Sequence, residues 1–386
     1  MGFSTVRFGD APAYLSAATE IARHGRYPTS SEPFYFRAPG YPFFLAVTTF
    51  GRPDFVALAK VATAAAGSFV APLLALLSAR IFRRRGIALA TGAAAAFHPV
   101  FLWHSADIQS EPLFTALLLA AAFLLLAATD RPSTTLALGA GVVLALAALT
   151  RASALALFPF LTAPLLDRRY PLRARAHIAA AGLLGFALAL SPWIARNAAV
   201  FGELVPVNDA AGNTFYQGNS DWGVRFFEIE SRAEYLRWVE ALHRDMERQT
   251  EELRARGLTS PSERARAFIG RVIAERRADP AGWARLLARK SWEWLRPYPT
   301  PWFWPPTVVI AIGSYYLVLY ALAVVGFVSA PRPGVRAFAL TVLAVSMAAH
   351  VVILVVWRFR VPYWDPVLLL YGVFGAGGTL LPRWTR

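Results

Sequence analysis

Asp10 and Arg37 stand out in the opening of this chain as an acid and a base with chemistry to offer. They belong to RFGDAPAYLSAATEIARHGRYPTSSEPFYFRAPGYPFFLA, the stretch from Arg7 to Ala46, which is too polar to cross a bilayer yet runs straight into apolar sequence. Tyr14, Ala17, Ala18 and Ile21 recur at helical spacing after Asp10, so the acid sits at a helix N-terminus. Arg37 precedes Ala38-Pro39-Gly40-Tyr41-Pro42, a rigid turn opening an apolar segment. A carboxylate and a guanidinium held at a membrane surface can activate a hydroxyl nucleophile and grip a phosphate. The plainer reading is an N-capping aspartate and an interfacial arginine.

Further charges fall where apolar sequence should exclude them. Arg358 and Arg360 alternate in RFRVPYWDP, between the last two apolar segments. At headgroup depth they can make bidentate contacts with a lipid-linked phosphate, or snorkel to bulk lipid phosphates. Glu111, behind Gln109-Ser110, opens a span and either complements the helix dipole or joins Asp10 and Arg37 on one face. Arg151 separates two apolar runs, each short of the roughly 20 residues of a comfortable span, which places it below the outer surface at the tip of a pocket. His98 and His104 flank the outer end of a helix, where they can meet a ligand or a metal, or simply pack. His243 and Asp245 read as the solvated face of a charged helix.

The elements that must hold these residues are apolar. The 386 residues are 56% hydrophobic and 16% charged, below the soluble norm of about 25% charged, and mean hydropathy is +0.43, as in a polytopic membrane protein. Segments 54–82, 86–104, 111–129, 177–194, 306–330, 336–357 and 365–381, with the short pair 135–150 and 153–166, make nine crossings. Residues 39–50 are too short to span and read as an interfacial helix. Four regions follow: an extracytoplasmic loop with interfacial helices (1–50), a first transmembrane bundle (51–194), a mainly helical extracytoplasmic insertion (195–306) and C-terminal transmembrane helices (307–386). The basic clusters Arg83-Arg84-Arg85, DRRYPLRARAH and PRPGVR mark the cytoplasmic side and put Asp10 and Arg37 outside.

Several functions are disfavoured. The net charge of +15 lies in short loops between apolar segments, a topology signal rather than a nucleic-acid footprint. The base is nearly all Arg, with Lys only at Lys60 and Lys290, which with the Ala-rich helices suggests a GC-rich bacterial genome. No cysteine is present, no His pair has ligand spacing, and no GxSxG, Walker, GxGxxG or DxD pattern occurs. A transporter or flippase would carry ionisable groups mid-span and repeat its halves, whereas here the charges collect at one outer face and no repeat is found.

GDAPAYLSAATEIARHGRYP, FRAPGYPFFLA, SEPLF, LTRAS, SPWIARNAAVFGELVPVN, GNTFYQGNSDWG and RFRVPYWDPVLLLY occur in the order, and at roughly the spacing, found in bacterial membrane glycosyltransferases. Over nearly its whole length the chain resembles the dolichyl-phosphate-mannose protein mannosyltransferase family of the GT-C superfamily, with which the aminoarabinose transferases of lipid A belong. The resemblance implies an all-α GT-C bundle that moves a sugar, with inversion, from a polyprenyl-phosphate donor to a glycan, lipid or protein acceptor outside the bacterial cytoplasmic membrane. It implies catalytic parts for Asp10, as the base or as support for the acceptor, and for Glu111, the acidic residue of the SE motif, with Arg37, Arg358 and Arg360 on the donor phosphate. Tyr14, Tyr41, His98, His104, Arg151, Asn219 and Tyr363 are candidates for the substrate pocket. A polyprenyl-phosphate donor brings no strict need for a metal, and a divalent cation stays open. These families open with a spanning helix ahead of the Asp loop. Met1 here opens on the loop itself, so the expectation is in-frame apolar sequence upstream, with an inactive truncated paralogue as the alternative. A membrane ligase or acyltransferase using the same lipid-phosphate logic is the other enzymatic alternative.

Overall fold

A computed structural model of the chain describes residues 10–27, 37–52 and 55–377. Among them the regular structure is all helical. The chain opens with α1 (Ala11–His24) and α2 (Gly40–Thr48). Helices α3 (Val56–Ser68) and α4 (Val70–Phe82) follow end to end, then α5 (Arg85–Ala96), α6 (Pro99–Ser105), α7 (Glu111–Asp130) and α8 (Thr134–Thr150). A 3-10 helix over Ala152–Leu166 leads to α9 (Leu172–Phe201).

Among the described residues five runs are long and apolar enough to cross a membrane: α3 with α4, α7, α9, and two further on, Pro306–Ser329 and Pro333–Val352. The expected span over 86–104 is instead a pair, α5 and α6, bent by 50°. Pro99 explains the bend, because it forces His98 into extended backbone (φ −66°, ψ 119°) and stops α5 before it. With that pair counted, six runs among the described residues pass on length and composition, the expected short pair is present as the shorter apolar helices Thr134–Thr150 and Ala152–Leu166, and the chain is a multi-pass membrane protein. The run from 153 to 166 is not an α-helix, since Pro159 and Pro164 inside it cannot donate to an α ladder. At the 3-10 rise of about 2.0 Å, fifteen residues reach about 30 Å, so the segment is longer than its residue count suggests.

Small residues let the backbones approach. A Cβ on Gly141 of α8 would meet Phe186 N of α9 at 2.7 Å, and Gly182 and Gly185 face α8 from the other side. Gly40 plays the same part at the start of α2, where a Cβ would lie 2.8 Å from the backbone of Leu149 and Thr150. That approach docks the RAPGYP turn on the end of α8, one residue before Arg151.

Between α9 and the later spans lie α10 (Ala211–Asn219), α11 (Asp221–Phe226), α12 (Arg232–Ala255), α13 (Pro261–Ala278) and α14 (Pro280–Leu295). Ser231 caps α12, Ser260 and Glu263 form a capping box on α13, and Asp279 caps α14 ahead of Pro280, which splits the helical run expected over 262–296. Tyr216, Trp238, Leu242, Met246, Phe268 and Val272 form the apolar core of this part. Asp245 does not face solvent as the charge pattern suggested. It accepts hydrogen bonds from Tyr216 Oη (2.8 Å), Trp222 Nε1 (2.9 Å) and Gln249 Nε2 (2.7 Å), tying α10 and α11 to α12.

The chain closes with α15 (Pro306–Ser329), α16 (Pro333–Val352), a 3-10 turn over Trp357–Arg360 and α17 (Val361–Gly377). The end of the last expected span and the terminal RWTR lie outside the described residues.

Two charge clusters bracket the bundle. At the C-terminus of α7, Asp130 pairs with Arg80 (3.2 Å), Arg169 (3.4 Å) and Arg332 (2.6 Å). Glu111 heads the opposite end of the same helix, and twenty residues of α-helix separate the two by about 30 Å, the thickness of a bilayer's hydrocarbon core.

The Gly40 contact is testable in purified protein. Gly40→Ala forces backbone apart and should destabilise by about 1–3 kcal/mol. Gly270→Ala, where nothing lies within 4 Å, should be neutral or stabilising by up to about 1 kcal/mol. Denaturation midpoints in one detergent compare them, and equal midpoints would show that the turn yields at no cost.

Candidate active site

Asp10 begins α1 without capping it. Its carbonyl oxygen accepts from Tyr14 N (3.2 Å), but its side chain makes no cap bond. The carboxylate instead receives two guanidiniums from distant parts of the chain. Arg37 Nη2 donates to Oδ1 at 2.6 Å, and Arg358 Nη2 donates to Oδ2. Arg358 Nε also lies 3.7 Å from Glu111 Oε1, which pairs with Arg151 Nη1 at 2.9 Å. Ser110 Oγ completes the group by accepting from both Arg151 Nη1 and Tyr14 Oη at 3.2 Å. Residues 348 positions apart thus share one ion-pair chain, Arg37, Asp10, Arg358, Glu111 and Arg151.

Each member is held by its own element. Arg37 is positioned through its backbone, since Tyr27 Oη donates to its carbonyl (2.6 Å) while Arg196 of α9 holds the Tyr27 carbonyl (3.0 Å) and Trp193 packs edge-on against the Tyr27 ring (5.2 Å). The conspicuous PWIARN run of α9 is therefore scaffolding for Arg37. Its Asn197 binds the carbonyls of Val205 and Val207 and fixes the chain leaving the helix. Arg151 sits in extended backbone (φ −146°, ψ 117°) at the break between α8 and the 3-10 helix, as the short apolar pair suggested, with its guanidinium over the Phe359 ring at 4.9 Å. Tyr14 and Tyr41 pack edge to face at 4.9 Å, and Tyr41 Oη bonds Thr63 Oγ1 at 2.6 Å.

Arg360 does not join the group. Alternating residues share a face in an extended strand, but Trp357–Arg360 is a 3-10 turn, in which each residue advances about 120°, so Arg358 and Arg360 diverge. Arg360 is fully buried, donates to the carbonyls of Trp294 (3.0 Å) and Arg296 (2.8 Å), and lies between the rings of Tyr316 and Trp357. His98 also lies apart, buried beside Asp365 at 3.8 Å, while His104 bonds Gln109. Tyr363 donates to Ser153 Oγ (2.8 Å), and Asn219 binds carbonyls at the end of α16. No group of three or more metal-binding side chains lies together among the described residues.

Sequence reasoning gave no separate part to Ser110, although SEPLF contains it, nor to α12. Helix α12 passes close enough that Tyr235 feels the charges of Arg358 and Asp10, and His243 that of Arg37. A long charged helix carries no sequence sign of such an approach.

The electrostatics follow from the pairing. Burial alone would raise the pKa of Asp10, but Arg358 and Arg37 outweigh it and hold the carboxyl well below the usual carboxylate range. Among the described residues two carboxylates face three guanidiniums, which leaves one unit of positive charge over.

Among solved structures the chain is similar to the archaeal oligosaccharyltransferase AglB from Archaeoglobus fulgidus, in complex with an inhibitory peptide and a dolichol-phosphate. The TM-score is 0.54 at 13% identity, over 95% of this chain and 46% of that one. ArnT from Cupriavidus metallidurans aligns at 14% identity over 97% of this chain and 74% of that one, with TM-scores of 0.44 bound to undecaprenyl phosphate and 0.40 in the apo state. The chain spans less than half the length of AglB. No family model and no curated protein matches the sequence. The AglB likeness shows the fold, a polytopic helical bundle.

A group whose pKa is depressed on folding adds stability above its unfolded value, near 3.8, and loses it as pH falls toward the folded value. The stability gap between the protein and Asp10→Asn should therefore be constant from neutral pH down to about pH 5 and shrink below about pH 4. Unfolding midpoints against pH measure it, and a gap that widens on acidification would contradict the pairing.

Proposed function

We propose that this chain is an inverting membrane glycosyltransferase. It takes a sugar from a polyprenyl-phosphate carrier and passes it to an acceptor hydroxyl at the outer face of a bacterial cytoplasmic membrane. The observation that carries the reading is the shared Asp10, a carboxylate gripped by Arg37 and Arg358 in a cluster with one positive charge in excess. Catalysis of this transfer needs a base for the hydroxyl and cations for the departing phosphate, side by side. The likeness of fold to AglB, whose structure holds a dolichol-phosphate, agrees with a lipid-linked donor.

In the proposed reaction the donor phosphate lies against Arg37, Arg358 and Arg151, whose planar guanidiniums suit phosphate oxygens. The acceptor oxygen attacks the anomeric carbon from the side opposite the phosphate. The bond from that carbon to the phosphate oxygen breaks and its electron pair leaves with the phosphate, already an anion, so charge neutralisation serves it better than protonation. Asp10 takes the hydroxyl proton as the new bond forms, and a single displacement inverts the anomeric centre. Glu111 holds Arg151 and Arg358 in place from beneath.

The resting pair explains how one carboxylate serves. Bound by two arginines, Asp10 is a weak base. A phosphate that draws those arginines to itself returns basicity to the carboxylate, so the donor prepares the base for the acceptor.

Asp10→Asn should abolish transfer from a polyprenyl-phosphate sugar while the protein stays folded. Arg358→Ala should lower turnover by about 10²–10³, the size of losing one transition-state donor. Radiolabelled sugar released from the lipid carrier in proteoliposomes reads both, and full turnover by Asp10→Asn would remove Asp10 from catalysis.

A further inference from the structure

Lys290 of α14 is 1% exposed, and none of the described residues pairs it with a carboxylate. Its ammonium has three donors, and two are used: one on Asn219 Oδ1 (3.0 Å), one on the Ile353 carbonyl (3.2 Å) just past the end of α16. Asn219 in turn donates to the carbonyls of Val352 and Ile353. The negative end of α16 therefore accounts for a cation here but not for its remaining donor. Burial pulls the ammonium down to about 7, the mark of a charge whose solvation has been removed and not fully replaced.

Lys290 lines a partly open cavity of about 50 Å³, with Gln217 beside it. The rest of the wall is apolar, including Phe226, Phe227, Tyr235 and Trp238. The chain at Leu354–Val356 also lines it and continues directly into the turn that carries Arg358. Tyr235 belongs to the wall and lies within electrostatic reach of Asp10 and Arg358. The space beside the ammonium accommodates a carboxylate or phosphate group. Half-buried Phe226, Phe227 and Tyr235 provide flat apolar surface against which the rest of a ring can lie.

We propose that this cavity is a subsite for an anionic substituent, a carboxylate or a phosphate, on the acceptor, with Lys290 as its counter-ion. The inference rests on the proposed transfer reaction in assigning the ligand to the acceptor. The cavity is walled by α10 to α12, by α14 and by the 354–356 connection, not by the apolar spans that a polyprenyl tail would follow. An anion entering it meets a desolvated ammonium in an apolar surround, where a charge-assisted hydrogen bond is stronger than in water. A neutral ring would gain only the aromatic contacts.

The sequence contains only two lysines, Lys60 and Lys290, so [13Cε]lysine labelling of the full chain in nanodiscs gives two resonances. Glucuronate, glucose 6-phosphate and glucose are the probes. The Lys290 resonance is expected to shift saturably with glucuronate, with glucose 6-phosphate or with both, and not with glucose; which of the charged probes acts separates carboxylate from phosphate. Lys290→Met should weaken the charged probe by about tenfold or more, the scale of one charge-assisted bond. Should that variant not fold, Lys60→Arg assigns the resonance and the wild-type titration stands. Asp10→Asn should keep the response, which separates failure of this subsite from failure of the proposed catalysis. No saturable shift with either charged probe, or an equal shift with glucose, would overturn the assignment.

Discussion

The carboxylate of Asp10 is the point at which this structure closes. One oxygen is held by Arg37, from the turn after the first helix, and the other by Arg358, from the turn before the last. Neither arginine would be tolerable alone, because a desolvated guanidinium without a counter-charge is costly; together with Glu111 and Arg151 they form a chain in which each charge touches an opposite one. Such a chain adds little net stability when it replaces water, but breaking one link strands a charge. It therefore acts mainly to specify which ends of which helices come together.

The rest of the bundle can be understood as what brings those ends together. Gly40 lets the turn after Arg37 sit on the end of α8, which is where Arg151 emerges. Tyr27 and Arg196 fix the Arg37 backbone from α9. Arg360, buried among Trp294, Arg296, Tyr316 and Tyr320, anchors the turn from which Arg358 projects. Its separation from the site is thus a contribution to the site, made through the backbone two residues away. The Asp130 cluster fixes the far end of α7, so that helix is tied by charge at both termini and by apolar packing between them.

Much of this was legible because isolated charges beside apolar runs are conspicuous. Asp10, Arg37, Glu111 and Arg151 could be singled out by that contrast alone, and the hydropathy that locates the spans also places them at one end. What could not be read was backbone geometry at the scale of a single turn. RFR reads the same whether extended or 3-10, and only the second sends its arginines apart. His98 likewise sits among apolar residues in the sequence, with nothing to say that the bend at Pro99 turns it inward toward Asp365. Asp245 looked solvated because its neighbours in the sequence are charged, whereas its partners, Tyr216 and Trp222, come from other helices. Lys290 was equally silent, since a lysine near tryptophans suggests a membrane interface and not a buried donor.

Under the proposed reaction the same contacts that build the site also regulate its chemistry. Affinity of the arginines for phosphate and basicity of Asp10 are opposed through one set of guanidiniums: whatever occupies them frees the other. A site with more carboxylates than arginines would hold its base ready but bind the donor poorly, and one with arginines alone would bind the phosphate and lack a proton acceptor. Two acids against three bases is the smallest imbalance that leaves room for an anion while keeping every resting charge paired. The order that follows is physical: the donor phosphate must engage before the acceptor hydroxyl can be activated, so the carboxylate is least reactive when there is no sugar to transfer.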